Sequence, residues 1–160
     1  MLRDAFEKFD NYEEAKNYIV ETQVIAPAYY IICGLTGNDG TVVTHDRGKT
    51  ADVWQLSAGD WFLVQTNYDH WMPPPDHDNR RVIAQRLIYD TQQKSFNSEK
   101  LWDVLSNPYV MVENWTVYTV VMEPATGYYK DMVRKPGNSP ATISELEAIA
   151  PMVSQRVVYD

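Results

Sequence analysis

"AYYIICGLTGNDGTVVTHDRGKTADVWQLSAGDWFLVQT", residues 28–66, holds four short runs rich in β-branched or aromatic residues: 28–34, 40–45, 51–56 and 61–66. The separators "LTGND", "DRGKT" and "SAGD" carry Gly, Asn, Asp and Ser, which reach the backbone conformations that tight reversals need. Connections this short join antiparallel neighbours, because a parallel crossover takes about a dozen residues or more. The stretch therefore predicts an antiparallel meander of four strands. Its first run is apolar throughout, which predicts cover on both faces.

Outward from the meander the period changes. On its N-terminal side, "DNYEEAKNYIVET" repeats Ala15, Tyr18 and Ile19 at helical spacing, with Asp10 as the expected cap and Glu13 reaching back. On its C-terminal side, "DNRRVIAQRLIYDTQQ" sets Val82, Ile83, Leu87 and Ile88 near one side of a helix that Asp78 is placed to cap, and "NSEKLWDVLSN" predicts a shorter helix stopping before Pro108. Two further strands are expected at 114–122 and 127–133, joined by "EPAT". Residues 142–150 predict a short helix with a capping box of Thr142 and Glu145. Helix, four strands, two helices, two strands is an α+β order, with an antiparallel sheet that needs helices on one face. A sheet this apolar needs a partner on its other face as well, so it reads as half of a layered structure.

Composition narrows the function. The 160 residues carry 14 basic against 22 acidic side chains, a net charge of −8. That balance argues against nucleic-acid binding and against electrostatic docking on anionic lipid, both of which need a basic surface. A lone Cys33 excludes a disulfide framework and a cysteine-based metal cluster. The N-terminus is no signal peptide, since charges interrupt it from Arg3. Taken alone, that places the chain in the cytosol.

Chemistry concentrates after the fourth run, in "QTNYDHWMPPPDHDNRR" (65–81). Asn67 continues the pleat face of Trp61, Leu63 and Gln65. A neutral amide at a strand end can donate to a developing oxyanion, and it can equally serve a turn. Asp69, His70, Asp76, His77 and Asp78 include donors for a divalent metal, although no regular element fixes their spacing and a solvated loop explains them as well. Arg80 and Arg81 open a helix, where positive charge opposes the macrodipole, so a carboxylate such as Asp76 or Asp78, or a ligand, is expected to hold one of them. Cys33 follows three apolar residues and reads as an inert buried thiol. His45 has no nucleophile elbow near it. Asn114 heads the sequon "NWT", which has meaning in a secretory context.

Together, "YEEAK", "PAYYIICG", "VVTHDRG", "ADVWQL", "WFLVQTNYDHW", "NRR" and "NWTVYTVVM" resemble the C-terminal part of the acid ceramidase family, and within it the N-acylethanolamine-hydrolysing acid amidases. The resemblance covers roughly residues 4–134. Its most specific part is the "TNYDHW…P.P…D.RR" block, with thirteen positions from Asn67 to Arg80. It implies an N-terminal-nucleophile hydrolase with an αββα sandwich, an antiparallel sheet with flanking helices, made as a precursor that cleaves itself. The newly exposed Cys attacks a lipid amide with its own α-amine as base, and no cofactor or metal is implied. Carried over position by position, Asn67 matches the oxyanion-hole Asn, Arg80 matches an active-site Arg, and Tyr68 and Asp69 support them. Asn114 falls where the amidase carries a glycosylation sequon. The implied setting is the lysosome. The implied partners are a lipid amide, the rest of the parent enzyme or its alpha subunit, and a peripheral membrane contact, with no nucleic acid.

The family's nucleophilic Cys lies upstream of everything here, and Cys33 is not at its position. Residues 1–134 are therefore expected to be a C-terminal part of the catalytic domain, with 135–160 a tail without counterpart, and the chain alone is expected to lack amidase activity. The rival readings are a truncated paralogue that binds lipid without catalysis, and a metal-binding domain using His70 and His77.

Overall fold

The structure, a computed structural model, describes residues 1–112 and 114–134. The expected tail and its helix at 142–150 lie outside the described residues. The described residues divide into two compact units, 1–72 with 124–127, and 73–112 with 114–123 and 128–134.

The first unit is built on a three-stranded antiparallel sheet of β1 (Ala28–Cys33), β2 (Gly40–Asp46) and β3 (Lys49–Gln55), in the order β1-β2-β3. The first three runs form the antiparallel meander as expected, and its second reversal is a tight one. Asp46 pairs with Lys49, and Gly48 takes the left-handed conformation at φ 87° that closes the two-residue connection. Central β2 is buried from Thr41 to His45 on both faces, the mark of a strand with a neighbour on each side and layers above and below. One face carries Tyr30, Ile32 and Val43 and packs against α1 (Leu2–Lys8) and α2 (Tyr12–Glu21), with Ala5, Ile19 and Val43 as its inaccessible centre. His45 is buried on this face, and its Nε2 meets the Ile19 carbonyl at 2.8 Å, so it ties β2 to the C-terminal half of α2. Tyr12 and Thr41 share a hydroxyl–hydroxyl bond of 2.5 Å across the same layer.

Three expectations for this unit are corrected, and one helix is added. Helix α2 is capped by Asn11, whose side chain accepts from the Glu14 amide at 2.9 Å, and not by Asp10. Helix α1 was not foreseen, although Asp4 in its first turn and Lys8 in its last suit the helix dipole. Strand β1 is not covered on both faces: Ile31 is 68% exposed and Cys33 is exposed, because only the Tyr30–Ile32 parity faces the helices. Finally, residues 61–66 are half-buried throughout but join no ladder among the described residues. β-propensity makes a chain extended, whereas a strand also needs an edge to bond to.

The second unit contains α3 (Arg80–Thr91), a 3₁₀ turn at Gln93–Ser95, α4 (Ser98–Ser106) and the antiparallel hairpin β4 (Tyr118–Glu123) and β5 (Tyr128–Val133). Asn97 caps α4 by accepting from the Lys100 amide at 3.0 Å. Helix α3 buries Arg81, Ala84 and Ile88, a stripe one position round from the expected Val82–Ile83 side. The stem of Arg81 is apolar enough to occupy it. Strand β4 starts at Tyr118, four residues later than expected. Asn114 is left-handed at φ 64°, and the Thr116 amide bonds the Val112 carbonyl at 2.8 Å, so 114–117 is a turn. Arg134 closes the unit by donating to Thr119 Oγ1 at 2.9 Å and Ser106 Oγ at 2.7 Å.

Candidate functional site

The stretch 65–72 is organised by its own hydrogen bonds. The Gln65 amide nitrogen donates to the carbonyls of Thr66 at 2.9 Å and Tyr68 at 2.8 Å, bending the chain sharply after the extended run. The Met72 amide bonds the Asp69 carbonyl at 3.0 Å and completes a second reversal. Within this double turn Asn67 is exposed, while Tyr68, Asp69 and His70 are half-buried.

The residues after Asn67 are fastened to the face of the sheet turned away from α1 and α2. Tyr29, Thr44 and Asp52 lie in register across the three strands, and Val42 and Trp54 pair one step along. The Tyr29 hydroxyl donates to Asp69 Oδ1 at 2.7 Å, forty residues away in sequence. His70 stacks on Trp54 with ring centroids 4.2 Å apart and planes 14° apart, and its Nε2 lies 3.8 Å from Asp52 Oδ2. Trp71 meets the His70 ring edge-on at 4.8 Å. The inaccessible Oδ2 of Asp52 has no hydrogen-bond partner among the described residues.

Tyr29, Asp52, Trp54 and Gln65 were not singled out from the sequence. The signal for three of them was present as pleat parity, since Asp52 and Trp54 alternate in "ADVWQL" and Tyr29 has the opposite parity to Tyr30. Only the strand register shows that they share one face.

In the second unit Arg80 forks onto Asp78. Its Nε donates to Oδ1 at 2.8 Å and its Nη2 to Oδ2 at 2.6 Å. These hydrogen bonds hold the Asp78 carboxyl below its ordinary range, against the opposing effect of burial. Asp78 was expected to be the helix cap. It stands one residue before the cap position, Asn79, and accepts from the Arg80 amide at 3.2 Å. The pairing also offsets the charge that Arg80 brings to a helix start. Both carboxylate oxygens of Asp78 are thereby engaged, and among the described residues no three His, Cys, Asp or Glu side chains converge on a point that could hold a metal ion.

Comparison with known proteins decides which family the chain belongs to. The chain is 40% identical over 139 residues to the mouse (Mus musculus) N-acylethanolamine-hydrolyzing acid amidase, a match covering 85% of this chain and 38% of that protein. It is 38% identical over 136 residues to the human (Homo sapiens) acid ceramidase, covering 84% of this chain and 34% of that protein. A solved structure of the Caenorhabditis elegans N-acylethanolamine-hydrolyzing acid amidase ortholog superposes with a TM-score of 0.74 at 30% identity, over 84% of this chain and 59% of that chain. The chain belongs to the acid ceramidase family. No protein-family model matches it.

The acid ceramidase family fold, that of the N-terminal-nucleophile hydrolases, accounts for an α+β chain of antiparallel sheets and helices. The chain spans a little over a third of the length of the curated family members it matches. Cys33 ends β1 on the Tyr29 face of the sheet, and although it is exposed, its partial desolvation pushes the thiol up, away from the thiolate that a nucleophile requires. Asn114 is exposed in its turn, and the Thr116 hydroxyl of the same sequon accepts from the Val112 amide at 3.0 Å.

Proposed function

We propose that this chain is the C-terminal part of the catalytic domain of a lipid-amide hydrolase. The intact enzyme splits N-acylethanolamines, with ceramide a further substrate, into a fatty acid and an amine. The observation that supports the reading is the turn at 65–72, in which Asn67 is exposed while Asp69 and His70 are pinned to the sheet. Oxyanion donors act through preorganisation, because a donor already aimed at the developing charge needs no reorganisation at the moment of reaction.

In this reading the attacking group is a Cys at a newly formed N-terminus, outside these 160 residues, with its α-amine as base. The sulfur bonds the amide carbon and the carbonyl electrons move onto oxygen, where the Asn67 N–H donates. The C–N bond then breaks, the amine leaves with the proton held by the base, and water hydrolyses the thioester. Arg80, rigidly forked by Asp78, is assigned to substrate or intermediate contact, with Tyr68 and Asp69 supporting the turn. The lysosome, glycosylation at Asn114, autocatalytic cleavage giving an alpha subunit, and a peripheral contact with membrane lipid belong to the same proposal. The raised Cys33 thiol supports a nucleophile elsewhere.

The test is Asn67→Ala in a complete enzyme carrying this sequence. The turnover number should fall by about 10²–10³ with little change in KM. An unchanged turnover number sinks the oxyanion role. The 160-residue chain alone should not hydrolyse a fluorogenic fatty amide, and turnover there would place a nucleophile within it.

A further inference from the structure

Asp52 presents a physical problem that His70 solves. A carboxylate oxygen shut off from water without a hydrogen-bond donor is costly, and the usual remedies are to take up a proton or to gain a cation. Asp52 Oδ2 is itself inaccessible and without a donor among the described residues, in a side chain that is 37% exposed as a whole, and His70 Nε2 stands 3.8 Å from it. The same imidazole lies flat on Trp54 at 4.2 Å. Protonating it adds an ion pair with Asp52 and a cation–π attraction to the indole face, both absent from the neutral ring.

We propose that Asp52, Trp54 and His70 form an acid-tightened latch that positions the Asn67 turn, with His70 a positioning residue. The inference rests on the oxyanion reading of Asn67 and adds the pH-dependent element that holds it. The titratable groups the described contacts bring to this site are Asp52 from β3 and Asp69 from the turn itself, the latter accepting from Tyr29 of β1. Thr44, in register with Asp52 on β2, contributes a neutral hydroxyl. The sign follows from which form of His70 is favoured. The latch holds while the imidazolium is present and slackens as rising pH removes its proton.

The test has two arms. NMR on the 160-residue chain follows the His70 ring and the Trp54 indole N–H against pH. The two should titrate together, and Asp52→Asn should move their common midpoint to lower pH. The wild-type Asp52 carboxyl carbon should report the same transition, a measurement that needs no variant. A Trp54 resonance indifferent to the His70 titration, or an unmoved midpoint in Asp52→Asn, overturns the latch. In a complete enzyme, His70→Phe should lower the turnover number with KM unchanged. His70→Arg, a permanent cation able to stack on Trp54, should restore it and shift the alkaline side of the pH profile upward. Full activity of His70→Phe overturns the positioning role. Coupled NMR titrations with an unimpaired Asn67→Ala enzyme would leave the latch standing and remove the oxyanion reading of Asn67. An impaired Asn67→Ala enzyme with uncoupled titrations would do the reverse.

Discussion

Removing the Tyr29 hydroxyl is the most direct probe of how the 65–72 turn is held. In Tyr29→Phe the ring stays and the donor to Asp69 Oδ1, at 2.7 Å, is lost. A hydrogen bond to a charged group contributes about 1.5–3 kcal/mol. Both partners are half-buried, and Asp69 keeps other contacts, so the lower end of that range applies. The expected loss is about 1.5 kcal/mol, or a fall in Tm of about 3–6 °C for a chain of this size. Truncation alone does not prove the bond, since it also changes solvation and packing. A double-mutant cycle does. Urea unfolding of Tyr29→Phe, Asp69→Asn and the double variant should give a coupling energy of about 1 kcal/mol or more. The m-values should stay constant across the set. Additivity within about 0.5 kcal/mol would refute the claim that the hydroxyl–carboxylate pair fastens the turn.

Two further outcomes follow from other parts of the fold. Arg80 holds the Asp78 carboxyl below its ordinary value of 3.8, so the charged carboxylate contributes stability that is fully present above about pH 4 and is lost as pH falls through the folded-state value. Asp78→Asn should therefore be less stable at pH 7 and show a flatter acid limb than wild type, and identical limbs in acid titrations followed by circular dichroism would refute the ion pair. At Gly34, a Cβ would lie 2.6 Å from Asp39 Oδ2 and 2.7 Å from Asp39 Cβ, where Asp39 accepts from the Thr36 amide at 2.9 Å. Gly34→Ala should cost about 1–3 kcal/mol in urea unfolding, whereas Gly37→Ala, with open space around it, should cost far less.

Much of the architecture was legible because it depends on neighbours in the chain. Short Gly- and Asp-rich separators confine consecutive strands to antiparallel pairing, and the β1-β2-β3 meander follows from that. Asn97 caps α4 within three residues of the donor it serves. Local reasoning failed where two local solutions compete. Asp10 and Asn11 are adjacent capping residues, and the chain uses the second. Asp78 suits a helix cap, but the guanidinium two residues on is the stronger donor. Residues 61–66 have strand-like composition, yet composition says nothing of a bonding edge.

The sequence by itself determined the α+β class, the meander and the family, and it picked out Asn67 and Arg80 as the residues worth testing. Those readings rest on patterns of a few residues and on a motif whose spacing is linear. Tertiary structure decided that Asn67 is exposed while its successors are held down, and that His70 stacks on Trp54 beside Asp52. It also decided that Tyr29 reaches Asp69 across forty residues. Each of those contacts depends on the register of three strands and on which pleat face the turn covers. A shift of one residue in pairing would turn Tyr29, Asp52 and Trp54 to the other side of the sheet without changing a letter of the sequence.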